Sequence, residues 1–280
     1  MTAVVLVLLA LGAAVLAWGW FEAGWLRTRV VEVAIPGLPD ALDGLTIAHL
    51  SDFHLGPPSR GSHAVARAVS WVEARRPDLV CITGDLVSHP RGEERLREHL
   101  GCLERPYVVL GNHDIAVTRD PFSRKAELDD LAEHAVLLRD EAIPIDRGGC
   151  VVQLVGVDAE TYPRGDARPW ELADPAAALR ILLCHFPGIA GRLPAGSFDL
   201  VLSGHLHAGQ ICLPLPGRRV TLAHPRARYV AGVYAVAGGT MHVSPGLGTT
   251  FVPFRFFARP EVTELVLRPS RDGGLTRLSE

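Results

Sequence analysis

The sequence predicts an α/β protein, or an α+β one if its sheet proves mixed, and two observations carry that prediction. Short, continuous apolar runs at residues 45–50, 79–83, 107–110, 151–157, 181–184 and 200–203 read as buried central strands. Segments of helical period at 62–75, 93–103 and 121–134 fall between them, so helices should cover the faces of a mostly parallel or mixed sheet. Each run also ends in a polar cluster, and in such sheets ligands gather beyond the carboxyl ends of the strands.

The chain opens on an apolar segment. Residues 1–21 hold no charged side chain, and at 1.5 Å rise per residue about 20 apolar residues cross the hydrocarbon core. A transmembrane anchor spanning 1–25 is the favoured reading over a cleaved signal peptide or a buried core helix. The segment lacks a basic leader, is longer than a usual signal core, and stands alone before the first domain strand. Trp18, Trp20 and Trp25 fall where an aromatic belt would sit, and Arg27 and Arg29 follow. Those arginines place the domain that follows on the cytoplasmic side of the cell (inner) membrane. A linker with a first strand at 30–35 and a breaker-rich turn at 36–39 occupies 26–44; the main domain covers 45–270 and a tail 271–280.

Composition excludes several classes. The 280 residues are 48% hydrophobic and 21% charged with a net charge of −3, without the basic excess of a protein that binds a nucleic-acid backbone. Five scattered cysteines form no C-x-x-C pair, so neither a disulfide framework nor a cysteine zinc site is indicated. No H-E-x-x-H helix marks a zinc protease.

The polar clusters are specific. The runs are followed in turn by Asp52-Phe53-His54, Gly84-Asp85, Gly111-Asn112-His113-Asp114, His185 and Gly204-His205-Leu206-His207. Each triplet alone is weak. Five strand ends delivering Asp, His and Asn are not a chance pattern, and oxygen and imidazole donors together suit Mn, Fe, Zn or Co. Glycines stand before three of the clusters, where the backbone must turn and approach closely.

In this order the motifs resemble the calcineurin-like metallophosphoesterases over roughly residues 45–268. Val243-Ser244-Pro245-Gly246-Leu247-Gly248, followed by Arg255 and Arg259-Pro260-Glu261, is similar to the bacterial membrane-associated branch of that family, the YkuE and YaeI type. The resemblance implies a four-layer αββα sandwich with two divalent metal ions at one edge. It implies one metal held by Asp52, His54 and His207, another by Asn112, His185 and His205, and Asp85 bridging them. A hydroxide sharing that bridge would attack phosphorus, two cations roughly 3.5–4 Å apart supplying nucleophile and charge neutralisation. His113 would act as the catalytic residue beside the ligands, stabilising phosphoryl charge or protonating the leaving oxygen. Asp114 either orients His113 or caps a helix. One departure stands out: many relatives carry aspartate three residues after the bridging one, and here that position is Ser88.

These expectations make the chain a metallophosphoesterase cleaving a phosphodiester or pyrophosphate, on a phosphorylated small molecule or a lipid-linked or nucleotide-linked substrate at the membrane. The rival is a catalytically weak metal-binding scaffold acting through a partner protein. Phe251-Val252-Pro253-Phe254-Arg255-Phe256-Phe257, with four phenylalanines in seven residues, reads either as a core strand with a proline edge or as a lipid contact.

Overall fold

A computed structural model describes residues 1–215 and 218–270; the expected tail at 271–280 lies outside the described residues. Helix α1 (Thr2–Gly24) leads into strands β1 (Arg27–Pro36) and β2 (Thr46–Leu50), helix α2 (Gly61–Arg75), β3 (Leu79–Thr83), helix α3 (Glu93–Gly101), β4 (Tyr107–Val109) and β5 (Val136–Leu137). Strands β6 (Glu141–Arg147), β7 (Cys150–Gly156), β8 (Leu179–Leu183) and β9 (Leu200–Ser203) follow. A hairpin of β10 (Cys212–Leu215) and β11 (Arg218–Thr221) precedes β12 (Gly232–Val236), β13 (Gly239–Val243) and β14 (Glu261–Ser270).

Two mixed six-stranded sheets result, in the orders β1-β14-β2-β3-β4-β5 and β12-β13-β9-β8-β7-β6. They pack face to face. Ile47, Leu79 and Val109 of the first meet Leu154, Ile181 and Leu202 of the second in one apolar cluster. Alternation along each strand sends the other side chains outward, so Ala48, Leu50, Val80 and Ile82 receive Val65, Ala68, Val69 and Val72 of α2. Each buried valine, leucine or isoleucine among them contributes about 1.5–3 kcal/mol. The outer face of the second sheet is covered by the short helical turn Pro187–Gly191 and loops, with Ile189, Leu193 and Phe198 on Leu182, Val201 and Met241. The four layers are therefore present, the fourth built from turns instead of long helices.

Two expected helices fall at α2 and α3, whereas the third, at 121–134, shrinks to the single turn Leu131–His134. Its first half is held in an extended crossing by other partners. The Arg124 N–H donates to Ser88 O at 2.8 Å, and the Asp120 carboxylate takes the N–H groups of Phe122 and Phe251. Those bonds compete with the helical ladder and win.

Helix α1 is long and apolar enough to cross a membrane, and only Gly19, Glu22, Ala23 and Gly24 of it are buried. Strand β1 runs parallel to β14 over ten residues, so the chain leaves the helix directly into the first sheet.

Candidate metal centre

The topology brings the polar clusters to one place. Strands β2, β3 and β4 are parallel neighbours in one sheet and β8 and β9 in the other, so the segments after their carboxyl ends converge. The side chains there are set by an unusual backbone. Asp52, His54, Asp85, His205 and His207 have φ of 54°, 45°, 53°, 76° and 50°, a left-handed region that costs non-glycine residues roughly 1–3 kcal/mol each. Neighbouring backbone enforces it: the Asp52 N–H donates to Gly84 O and the His54 N–H to Asp85 O, each at 2.9 Å. Close approach explains two of the glycines, since a Cβ at Gly111 would collide with the Asp85 carboxylate and one at Gly204 with Ser51 and Asp52.

Two groups of ligand-type atoms form, each within 4.8 Å: Asp52, His54, Asp85 and His207, and Asp85, His185 and His205. Asp85 belongs to both, its Oδ2 lying 3.4 Å from His54 Nε2 and 3.3 Å from His185 Nε2. His207 Nε2 is 3.5 Å from Asp52 Oδ1. In both groups imidazole nitrogens face each other, His54 Nε2 to His207 Nε2 at 3.1 Å and His185 Nε2 to His205 Nδ1 at 3.0 Å. Asn112, the seventh expected residue, lies between Gly111 and His113, both against Asp85, and its Oδ1 is buried without a hydrogen-bond partner.

This donor set fits divalent cations. Facing lone pairs repel unless a proton or cation lies between them, and a buried carbonyl oxygen without a donor is costly unless a cation takes it. Titration points the same way. Burial, then the charges of His54 and Arg255, holds His207 well below the usual histidine range, and burial followed by His185 brings His205 down to about 3. Burial also lowers His54, so three rings are neutral, the form in which imidazole binds metal. Burial opposes the Asp85 charge, but His185 and His113 outweigh it and keep that carboxyl well below the carboxylate range. Burial and the Asp85 charge push Asp52 up to about 6 against the pull of His185. His185 goes the other way: burial opposes its charge, yet Asp85 and Asp52 raise it to about 9.

Residues behind the centre aim its rings. His185 Nδ1 is 2.7 Å from Thr83 O, which fixes the Nδ1–H tautomer and leaves Nε2 free. Thr83 is held in turn by Ser51 and by His49, whose ring pairs with His242 at 2.7 Å in the gap between the sheets. His207 is braced by Arg255, fully buried, whose guanidinium donates to the carbonyls of Gly248, Pro245 and Ala258 and lies 3.3 Å from His207 Nδ1. Sequence reasoning singled out Arg255 only through resemblance and gave no role to Ser51 or Thr83; their position next to the motif residues was the available signal.

The ring of His113 stands 4.6 Å from that of His54, nearly perpendicular to it. Thr118 Oγ1 is 3.0 Å from its Nε2, and Ser123 Oγ 3.3 Å from its Nδ1. Asp114 neither orients His113 nor caps a helix: its carboxylate accepts the N–H groups of Gly111, Leu86 and Val87, clipping the two loops together.

Comparison with known proteins gives the family. Residues 45–209 match the calcineurin-like phosphoesterase family model. The chain is 35% identical over 265 residues to a transmembrane protein with metallophosphoesterase domain from Danio rerio, covering 86% of this chain and 57% of that protein, so it spans little more than half of that relative. Two uncharacterized metallophosphoesterases of Bacillus subtilis also align: YkoQ at 29% identity (81% of this chain, 84% of its own) and YkuE at 26% (93% of each). The family, the buried donor set and the helix able to cross a membrane describe a hydrolase that uses divalent metal ions, and the chain belongs to the calcineurin-like phosphoesterases.

Proposed function

We propose that the protein hydrolyses a phosphodiester or pyrophosphate bond at a dinuclear centre, on a lipid-linked or nucleotide-linked substrate at the membrane. In this reading Asp52, His54 and His207 hold one cation, Asn112, His185 and His205 the other, and Asp85 bridges them. The observation that carries it is the single Asp85 oxygen placed almost equally from a histidine of each group. Divalent cations bound there would activate water at neutral pH and neutralise phosphoryl charge. The chain's own residues do the rest. Asp85 Oδ1 also accepts the backbone N–H of His113 at 2.8 Å, which holds that residue beside the centre, where its ring carries phosphoryl charge or hands a proton to the leaving oxygen. Thr118 and Ser123 fix the ring's orientation.

The same reading divides the chain into an anchor (1–25), a linker with the first strand (26–44) and a catalytic domain (45–270) on the cytoplasmic side of the inner membrane. Arg27 and Arg29 directly after the span support that orientation.

The test uses the full-length protein in detergent, stripped of metal and then given Mn, Co, Zn or Mg, with release of nitrophenol from bis-p-nitrophenyl phosphate as the readout. Turnover should require metal, and Asp85→Asn should lose more than the roughly 10–100-fold that follows removal of an outer-shell partner. Wild-type turnover equal to that of Asp85→Asn with every metal would overturn the proposal.

A further inference from the structure

Two loops bordering the centre expose apolar side chains where a soluble rim would be polar. Val117 and Phe122 stand on the loop at 115–123, and Phe251, Val252 and Phe257 on the loop at 249–257, with Phe122, Phe251 and Phe257 about half exposed at 51%, 47% and 50%. The loops are joined, since the Phe251 N–H donates to Asp120 Oδ2 at 2.7 Å. They are also functional neighbours of the centre: Thr118 and Ser123 contact His113, and Arg255 braces His207.

The position of this rim relative to the apolar helix is fixed by contacts. The Arg255 N–H donates to Gly19 O at 3.0 Å, and the ring of Phe256 lies against Gly19, where any larger side chain would collide with it. Gly19 precedes the end of α1 at Gly24 by five residues, so the loop reaches about 7 Å along the helix, away from the domain. At that level the helix presents exposed Trp18, Trp20 and Phe21, residues of the kind that mark a bilayer interface. The charges around Phe122 agree. Arg119, Arg124 and Lys125 are exposed, while the intervening Asp120 is turned inward and occupied by the two backbone N–H groups.

We infer that these two loops form a rim that inserts into the bilayer interface, with Phe122 and Phe251 as its tips and the cationic side chains on anionic headgroups. The occupant of this surface is the lipid membrane itself. Resting on the phosphoesterase reading above, the rim opens the metal centre toward an amphiphilic phosphoester whose apolar part stays in the bilayer while its phosphoryl group reaches Asp85 and His113. Aromatic side chains at the interface together with flanking cations are the combination that holds a surface on an anionic membrane.

The test has two arms on full-length protein reconstituted into phosphatidylglycerol–phosphatidylcholine vesicles. In the first, Phe122→Cys and Phe251→Cys, made in a Cys102→Ser, Cys150→Ser background, carry an environment-sensitive fluorophore, with Arg164→Cys as the reference. Labels at 122 and 251 should shift to the blue and be quenched by bromine-bearing acyl chains, and the label at 164 should not. Identical behaviour at all three positions would overturn the rim. In the second arm, the Phe122→Ser, Phe251→Ser double variant should cleave vesicle-borne CDP-diacylglycerol roughly tenfold more slowly than wild type, while bis-p-nitrophenyl phosphate turnover is unchanged. Equal rates on both substrates would overturn the access role. If the wild type cleaves neither, the phosphoesterase reading fails, and the fluorophore result still decides the rim.

Discussion

Ser88 Oγ lies 2.7 Å from Nδ1 of His54 and only at the long distance of 3.4 Å from Nδ1 of His113. Ser88 therefore serves His54 first. Accepting an Nδ1–H there leaves Nε2 of His54 free to face Asp85 and His207. Ser88→Ala should lower metal affinity by roughly 10–100-fold, read as the metal concentration needed for half-maximal turnover, with activity restored at high metal. An unchanged metal requirement with a displaced pH–rate profile would instead place the hydroxyl in the service of His113.

Asn112 offers a test with opposite signs in the two states of the protein. Its Oδ1 is buried without a donor, and such an atom costs about 1–3 kcal/mol when nothing satisfies it. Asn112→Ala should leave the metal-free protein as stable as wild type or slightly more so in urea unfolding. The stabilisation gained on adding metal should shrink, by about 1.4 kcal/mol for each tenfold loss of affinity. Equal losses with and without metal would mean that Asn112 is only a loop brace.

Much of this centre was legible because its signals are local. The runs at 45–50, 79–83 and 200–203 coincide with β2, β3 and β9 to within a residue, and their polar endings are the clusters that converge. What was not legible is long-range. Nothing near residues 261–270 announces that β14 inserts between β1 and β2, since strand order depends on which apolar faces meet after collapse. The segment at 121–134 has helical period, yet Arg124 bonds to Ser88 across the fold, a partner invisible to periodicity. The phenylalanine-rich stretch at 251–257 could be read as core strand or lipid contact from composition alone; it folds as a loop docked on Gly19, which removes the core-strand reading. His49 and His242 belong to no local motif, and their buried pairing between the sheets depends on both sheets being assembled.

The helix is docked to the domain through Glu22. Its carboxylate accepts the Ala258 N–H at 2.8 Å and the Trp18 indole N–H at 3.1 Å, and Ala258 O is in turn held by Arg255. Glu22→Ala strands a buried backbone donor and should cost about 1.5–3 kcal/mol, hydrogen bonds to charged groups being the stronger kind. Glu22→Gln keeps an acceptor and should recover much of that loss. Thermal unfolding in detergent reads both, with a drop of several degrees expected for the alanine variant. Deleting residues 1–29 removes Glu22 and three of the ten β1 residues paired with β14, so that truncation should destabilise the domain and not merely release it from the membrane.

The pair between the sheets predicts a pH dependence. Burial, and then the repulsion that a second charge on His242 would add, hold His49 well below the ordinary histidine value, and burial followed by Arg29 brings His242 down to about 3. Both are neutral when folded. The unfolded chain takes up protons on them once pH falls below about 6.5, while the folded protein refuses them until near pH 3 at His242. Stability contributed by their neutral burial is therefore intact above about pH 6.5 and is lost progressively as pH falls below it, at up to about 1.4 kcal/mol per pH unit for each ring. His242→Gln keeps a hydrogen-bonding group beside His49 and removes one titrating site. In urea unfolding of metal-free protein from pH 7 to 4.5, the variant should show a slope shallower than wild type by about 1.4 kcal/mol per pH unit in the acid range. The ligand-type histidines titrate in both proteins and cancel from the difference. Parallel slopes would show that His242 does not keep its proton off in the fold, and the two-ring contact between the sheets would have to be charged.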